Sequence, residues 1–578
     1  MVLHHHVDPD ALEIQLISKH KNINSKLISK IQANNISYLD SNYENTIPKY
    51  TIPSNGVGSD SAYQLIHDEL NLDGNPTLNF ASFVNTFVDH NVKKLLVENF
   101  TKNLADSDEY PALMEIHSRC ISILADLWNA PKETKEELKK KYVSVDKNSE
   151  WEIKSNTSVG TATVGSSEAI ILGGLAMKKN WQAKRRAEGK DISKPNIIMG
   201  ANAQVALEKF ARYFDVECRL VPVSKESQYV LDKTKIKQNV DENTIGIFVI
   251  LGSTYTGTFE DVAGVSKILD EVENETGLDI PIHVDGASGA FIAPFIYPNL
   301  EWDFRLPRVH SINTSGHKFG LTAAGLGFVL WRKASYLPQE LKFELSYLGG
   351  SEESFTLNFS RPGHEIINQF YNFIALGRDG YTKVFQLLLD NARLLSDFLE
   401  QTGYYECVSV IHRKQGVYHL GESETKSDDG SYNVGLPVVA FKFSQKFKKN
   451  YPHIPQDVIS MMLRNKGYIV PNYPLPPNEQ SIEILRIVVR LNLSHELLDQ
   501  LMSDILEITE NLIDAADLIE KTTSHETKAA KSDNEKVIHE MLLSIASSGI
   551  KNKDIFEKSE EGFKRHRRPK HGTYRGAC

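Results

Sequence analysis

Ile280-Pro281-Ile282-His283-Val284-Asp285 is apolar for most of its length and stops at a carboxylate. Two earlier stretches read the same way. Pro195-Asn196-Ile197-Ile198-Met199-Gly200 ends at a glycine, and Ile245-Gly246-Ile247-Phe248-Val249-Ile250-Leu251 runs into Gly252-Ser253. Strands so uniformly apolar are buried on both faces, as happens when helices cover both sides of a parallel sheet. From about Asn79 to Tyr381 amphipathic segments alternate with such runs, the pattern of repeated βα units. We therefore expect an α/β fold with a mostly parallel sheet. Ligands of these sheets bind beyond the carboxyl ends of the strands, so the polar residues that end the runs become site candidates.

Outward from this region the pattern changes. Beyond Asn391, strands are expected at Val438 to Phe443 and Leu485 to Leu491, with helices at Gln456 to Asn465 and His495 to Ala515, which predicts a smaller second α/β domain. The first seventy-odd residues mix polar stretches such as Asn22 to Ser25 with prolines and glycines from Pro48 to Gly58, and read as an arm that packs on a partner subunit. The expected organisation is an arm over 1–77, a large domain over 78–388, a small domain over 389–515, and a polar, partly flexible linker and basic tail over 516–578. Glu422 to Ser431 and Thr522 to Glu535 hold too few apolar residues to form core, and read as a loop and a linker.

The chain's 578 residues suffice for more than one core. Apolar residues make up 41%, but no run approaches the roughly 18 needed for a membrane span. The amino terminus lacks the apolar stretch of a secretory signal, and the triplet His4, His5, His6 reads as a solvated end, so no metal is expected. Cys120, Cys218, Cys407 and Cys578 are too scattered for a zinc site or a disulfide scaffold, which fits a cytoplasmic protein. A net charge of −10 gives no long-range attraction to nucleic acid. The basic run Lys564 to Lys570 reads as a solvated end.

Three elements carry chemistry. Ser315-Gly316-His317-Lys318-Phe319-Gly320 follows the apolar run Val309 to Ile312. A lysine at the rim of a buried strand is costly unless paired or chemically occupied, and an imine with an aldehyde cofactor would remove its charge. A lysine snorkelling outward or bound to a carboxylate fits the same residues. Asp285, ending its strand about thirty residues earlier, could keep a pyridine nitrogen protonated, while the small Ala287 would let a flat ring lie close; Asp285 could equally cap the following helix. Gly160 to Ala169 leads into a helical stretch, Ile170 to Arg186, whose free N–H groups with the Ser166 and Ser167 hydroxyls could bind phosphate, although such serines are more often N-caps. Phosphate cradle, aspartate and lysine in one α/β domain are the contacts pyridoxal 5′-phosphate requires. No competing phosphate loop or dinucleotide fingerprint occurs.

Longer stretches point the same way: Val164-Gly-Ser-Ser-Glu-Ala169, Lys209-Phe-Ala-Arg-Tyr-Phe-Asp215, Tyr255-Thr-Gly257, Trp302 to Arg308, Ser315 to Gly320, Tyr347-Leu-Gly-Gly350 and Asn358-Phe-Ser-Arg-Pro362. Over roughly Asn79 to Asn492 the chain resembles the group II pyridoxal-phosphate decarboxylases, and within them the glutamate decarboxylases of fungal type with a carboxyl-terminal extension. The resemblance implies the aspartate-aminotransferase-like fold type I and conversion of L-glutamate to 4-aminobutanoate and CO2. It implies that Lys318 binds the cofactor covalently, that Asp285 holds its ring nitrogen, and that Gln204 faces the ring. Ser166, Ser167 and His317 would bind phosphate, Ser360 would reach the neighbouring subunit's phosphate, and Thr254 would lie near the cofactor's oxygen. For the substrate it implies Ser82 and Phe83, Asp106 from the partner chain, and Arg486. Ser82 departs from the threonine of the relative most readily compared, though either hydroxyl can donate. Sites shared in this way imply a homo-oligomer, at least a dimer. The amphipathic Val537 to Ile550 before the basic tail invites comparison with calmodulin-binding tails, but it lacks a tryptophan anchor and strong basicity, so a solvated or self-packing tail is expected. A lyase acting on another amino acid, or a noncatalytic paralogue, would keep the same cofactor residues.

Overall fold

The computed structural model describes residues 46–132, 158–345, 352–421 and 431–523, with a few residues before 46. The Tyr347 to Gly350 motif, most of the predicted loop at 422–431, the stretch 537–550 and the basic tail lie outside the described residues. The chain divides into two compact units, Met1–Asn75 and Pro76–Cys578. The first holds a short antiparallel pair, Asn34–Ile36 with Thr46–Pro48, and a helix, Ser59–Leu70.

In the second unit a seven-stranded sheet is built from β1 (Val159–Thr163), β2 (Asn196–Gly200), β3 (Glu217–Val221), β4 (Thr244–Ile250), β5 (Ile282–Asp285), β6 (Val309–Thr314) and β7 (Gly327–Trp331). Its order is β1-β7-β6-β5-β4-β2-β3, and only β7 runs against the others. Every residue of β2, β4 and β5 is buried, as their continuous apolarity predicts. The expected start of β5 at Ile280 moves to Ile282. Pro281 has no N–H for the ladder, although its carbonyl still accepts from the Ile247 N–H.

Helices α1 (His90–Asn99), α2 (Pro111–Leu127), α3 (Ser166–Ala187), α4 (Val205–Tyr213), α5 (Val262–Thr276), α6 (Gly289–Ile296) and α7 (His364–Gln401) accompany the sheet. On one side Ile170 and Met177 of α3 and Leu207 and Phe210 of α4 bury against Ile197, Met199, Phe248 and Ile250. On the other, Val262, Val265 and Leu269 of α5 and Phe291 of α6 join Phe385 and Leu388 of α7 in the main core. Burying each such side chain stabilises by about 1.5–3 kcal/mol before entropy is counted.

The smaller sheet comprises β8 (Tyr405–Cys407), β9 (Val438–Phe443), β10 (Asn472–Pro474) and β11 (Glu483–Val488), all antiparallel in the order β8-β9-β11-β10, with helices α8 (Asp457–Asn465) and α9 (His495–Thr523). Strand β11 lies about two residues earlier than its apolar run suggests. Its ladder ends at Val488 because its partner begins at Val438, after Pro437. Helix α7 passes without a linker through position 388, where the sequence placed a domain boundary; its break is instead at Gly377, with φ 58° and ψ −170°. Helix α9 continues eight residues past Ala515 because neither glycine nor proline interrupts 516–523.

The sheet's connectivity decides where the site forms. Asp285 pairs with Asn313, Thr314 with Phe328, and Thr163 with Gly327, so the carboxyl ends of β1, β5 and β6 and the start of β7 share one edge. Gly327 permits the closure: a Cβ there would meet the Gly165 backbone at 2.5 Å.

Candidate active site

Gly165, at φ 141°, turns the chain from β1 into α3, and a Cβ at this position would stand 3.2 Å from Cε1 of His317. No side chain caps the helix, which leaves first-turn N–H groups available to an anion. Ser166 is buried and its Oγ lies 2.7 Å from that of Ser315; Ser167 is exposed beside it. His317 has no protein partner for its buried Nδ1. Burial, aided by Lys318, lowers its pKa to about 4, so the ring is neutral.

Lys318 is half-buried, and its Nζ donates to Ser288 Oγ at a long 3.4 Å. No carboxylate is paired with it, which disposes of the ion-pair alternative among the described residues. Burial lowers its pKa, Arg486 reinforces the shift, and Asp285 opposes it. A depressed lysine is the form that can attack an aldehyde.

Asp285 is 1% exposed. Its Oδ1 accepts from the Ala287 N–H at 3.1 Å and from Asn313 Nδ2 at 3.0 Å, while Oδ2 is buried without a partner. A bare carboxylate oxygen in the core is expensive unless a donor arrives from elsewhere. The protonated nitrogen of a pyridine ring is such a donor. Asp285 does not cap α6, whose first turn receives no side-chain hydrogen bond. Ala287 is buried, and its carbonyl accepts from the Ser315 N–H, joining the two loops. An orphaned acid, an unpaired lysine, an orphaned histidine and an open helix start along one edge fit pyridoxal phosphate.

Phe83 lies between two cations, its ring centroid 5.4 Å from Lys318 Nζ and 5.1 Å from the Arg486 guanidinium. Arg486, on β11, donates to the carbonyls of Thr254 and Ala81, and its buried Nε has no partner. Burial lowers its pKa. Ser82 Oγ accepts from the Val84 N–H. Gln204 begins α4 just beyond β2, with an extended backbone and a half-buried side chain.

Asp106 and Ser360 form a separate group. Asn103 donates to Ser360 Oγ at 3.3 Å and accepts from the N–H of Arg361, while Asp106 accepts from Glu109 N–H three residues along. No hydrogen bond among the described residues joins either to Lys318.

Several supporting residues escaped the motif reading. Glu168, buried, accepts from Val164 N–H with one oxygen and from Leu357 and Asn358 N–H with the other, tying the helix start to the segment that carries Ser360. Its signal was a carboxylate inside an otherwise small and apolar helix turn. Glu168→Ala is expected to strand three backbone donors and to lower stability by about 1–3 kcal/mol. Denaturant unfolding checks the loss, and limited proteolysis should show earlier cleavage near 357–358. Glu400, Cys407 and His412 bring ligand atoms within 4.8 Å of one another, but Arg413 donates to Glu400 and burial keeps the Cys407 thiol protonated. That cluster already contains its cation.

The family model described as the pyridoxal-dependent decarboxylase conserved domain matches residues 48–418. The chain is 46% identical to glutamate decarboxylase of Saccharomyces cerevisiae over 93% of its own length and 92% of the relative's. It is 45% identical to glutamate decarboxylase 2 of Arabidopsis thaliana, covering 86% and 92%. Among solved structures, glutamate decarboxylase of Lactobacillus brevis is similar at a TM-score of 0.69 and 34% identity, over 82% of this chain and 97% of that one.

Proposed function

This chain belongs to the pyridoxal-dependent decarboxylase family, and from that premise we infer that it converts L-glutamate to 4-aminobutanoate and CO2. When bound, pyridoxal phosphate supplies an aldehyde that captures amines and a protonated ring that accepts the electron pair left by departing CO2. The chain's residues do the rest. Lys318 Nζ would hold the aldehyde carbon. Asp285 Oδ2 would take the ring nitrogen's hydrogen bond, and Gln204, Ala287 and Thr254 would hold the ring and its oxygen. Ser166, Ser167, His317 and the start of α3 would bind its phosphate.

The observation that carries the substrate reading is Arg486, a half-buried arginine whose buried Nε has no partner, sharing the Phe83 ring with Lys318. With Ser82 it would bind and orient an acidic substrate beside Lys318. Protonation at Cα follows, so each turnover consumes one proton. Arg486→Leu should raise KM for glutamate, at a cost of about 2 kcal/mol or more, and leave cofactor binding largely intact. Measuring CO2 release from a panel of amino acids tests the assignment: equal or faster turnover of aspartate or an aromatic amino acid would replace glutamate.

The separate placement of Asp106 and Ser360 supports a homo-oligomer, at least a dimer, in which each chain completes its partner's site and the segment 1–77 adds subunit contacts. Sedimentation alongside kinetics tests this, since an active monomer is incompatible with it. The unpaired thiols among the described residues, Cys120, Cys218 and Cys407, support a cytoplasmic location.

A further inference from the structure

Behind Asp285 runs a hydrogen-bonded relay that the cofactor contacts do not require. Ser311 Oγ lies 2.7 Å from His283 Nδ1, His283 Nε2 lies 2.8 Å from Asn313 Oδ1, and Asn313 Nδ2 lies 3.0 Å from Asp285 Oδ1. All four residues are no more than 1% exposed. The relay crosses three times between β5 and β6, whose register pairs His283 with Ser311 and Asp285 with Asn313. Alternate strand residues share a face, so these four stand together on one side of the sheet. The imidazole has no freedom to leave: a Cβ on Gly173 would meet its Cε1 at 2.4 Å, and the Phe248 ring packs edge-on with centroids 5.3 Å apart.

The relay has a direction. Asn313 presents its amide hydrogen to a carboxylate, so its carbonyl oxygen faces His283 and must receive a hydrogen from Nε2. Burial keeps this imidazole neutral, with its pKa lowered to about 4 against the opposing effects of Asn313 and Asp285. A neutral ring with a proton on Nε2 has an acceptor at Nδ1, which the Ser311 hydroxyl fills. Reversing the amide would set two oxygens against each other unless Asp285 itself carried a proton. The arrangement therefore matches the carboxylate form and leaves Oδ2 free to accept.

We propose that Ser311, His283 and Asn313 are positioning residues that hold Asp285 as an oriented carboxylate, and through it keep the cofactor's ring nitrogen protonated. This rests on reading Asp285 as the partner of that nitrogen. An immobilised acceptor gains from paying no reorganisation cost when charge develops, as outer-shell hydrogen bonds do for metal ligands.

The test uses the full-length enzyme loaded with pyridoxal phosphate labelled with 15N in its ring, whose NMR shift reports protonation. Asn313→Ala should move that shift toward the unprotonated form at neutral pH, weaken cofactor binding roughly 10–100-fold, and lower kcat with little change in KM. His283→Gln, which can still donate toward Asn313, should retain most of the wild-type signal. An unchanged ring shift in Asn313→Ala accompanied only by lower thermal stability would make the relay a packing feature and overturn the proposal. In wild-type protein with 15N-histidine, the His283 proton is expected on Nε2; a proton on Nδ1 reverses the relay and overturns it even if the variants fail to fold. Asp285→Ala separates the two claims, because an unchanged ring shift there defeats the role of Asp285 itself.

Discussion

Lys318→Ala is expected to reduce glutamate decarboxylation by at least about 10^3-fold, the scale of losing a covalent catalytic group. Its amine has one long hydrogen bond, to Ser288, and no paired carboxylate, so its removal breaks no ion pair and the fold should survive. The phosphate and ring contacts proposed for Ser166, His317 and Asp285 would remain, so cofactor should still bind, though noncovalently. Two measurements distinguish this from unfolding. Borohydride should fix cofactor to the wild-type peptide containing Lys318 and to nothing in the variant, while circular dichroism stays the same. A variant that keeps its reducible attachment would move the catalytic amine elsewhere in the chain.

Asp285→Ala should be the next most damaging, lowering kcat by about 10^2–10^3-fold, the scale seen when one preorganised electrostatic group is removed from an active site. Unlike the lysine variant, it should preserve covalent attachment, because the role proposed for the acid is at the ring nitrogen and Lys318 is retained. The carboxylate is 1% exposed and has Oδ2 unsatisfied, so its deletion also removes a destabilising feature of the empty site. Cofactor-free protein should therefore lose less stability than the cofactor-bound form. Thermal melts with and without pyridoxal phosphate read the difference, and equal losses in both states would argue that Oδ2 never meets the ring.

Much of this was legible in the chain itself. The uniformly apolar runs at 196–200, 245–250 and 282–285 could only be interior strands, because a strand with one wet face alternates. Their terminal polar residues pointed to the edge that the carboxyl ends of β1, β5 and β6 share. Element ends were less legible where a neighbour sets them, as Pro437 does for β11, or where a missing N–H does, as at Pro281. That one helix runs through 388 and breaks only at Gly377 was not legible, because α7 carries apolar residues on both sides of that position.

Within the candidate site, local order announced Asp285 and Ser166, which end and begin elements, and Lys318, in the turn just beyond β6. Glu168 and Asn313 looked like ordinary polar residues, because nothing local shows that one collects three backbone donors and the other orients an acid. The sequence by itself determined the layered α/β architecture and the chemical types brought to the strand ends, since burial periodicity and residue chemistry are local properties. Only the tertiary structure decided which of them meet. Arg486 reaches the Thr254 carbonyl across 232 residues and shares the Phe83 ring with Lys318. Such meetings depend on strand order and loop closure, which arise from packing the whole chain at once and are written in no single segment.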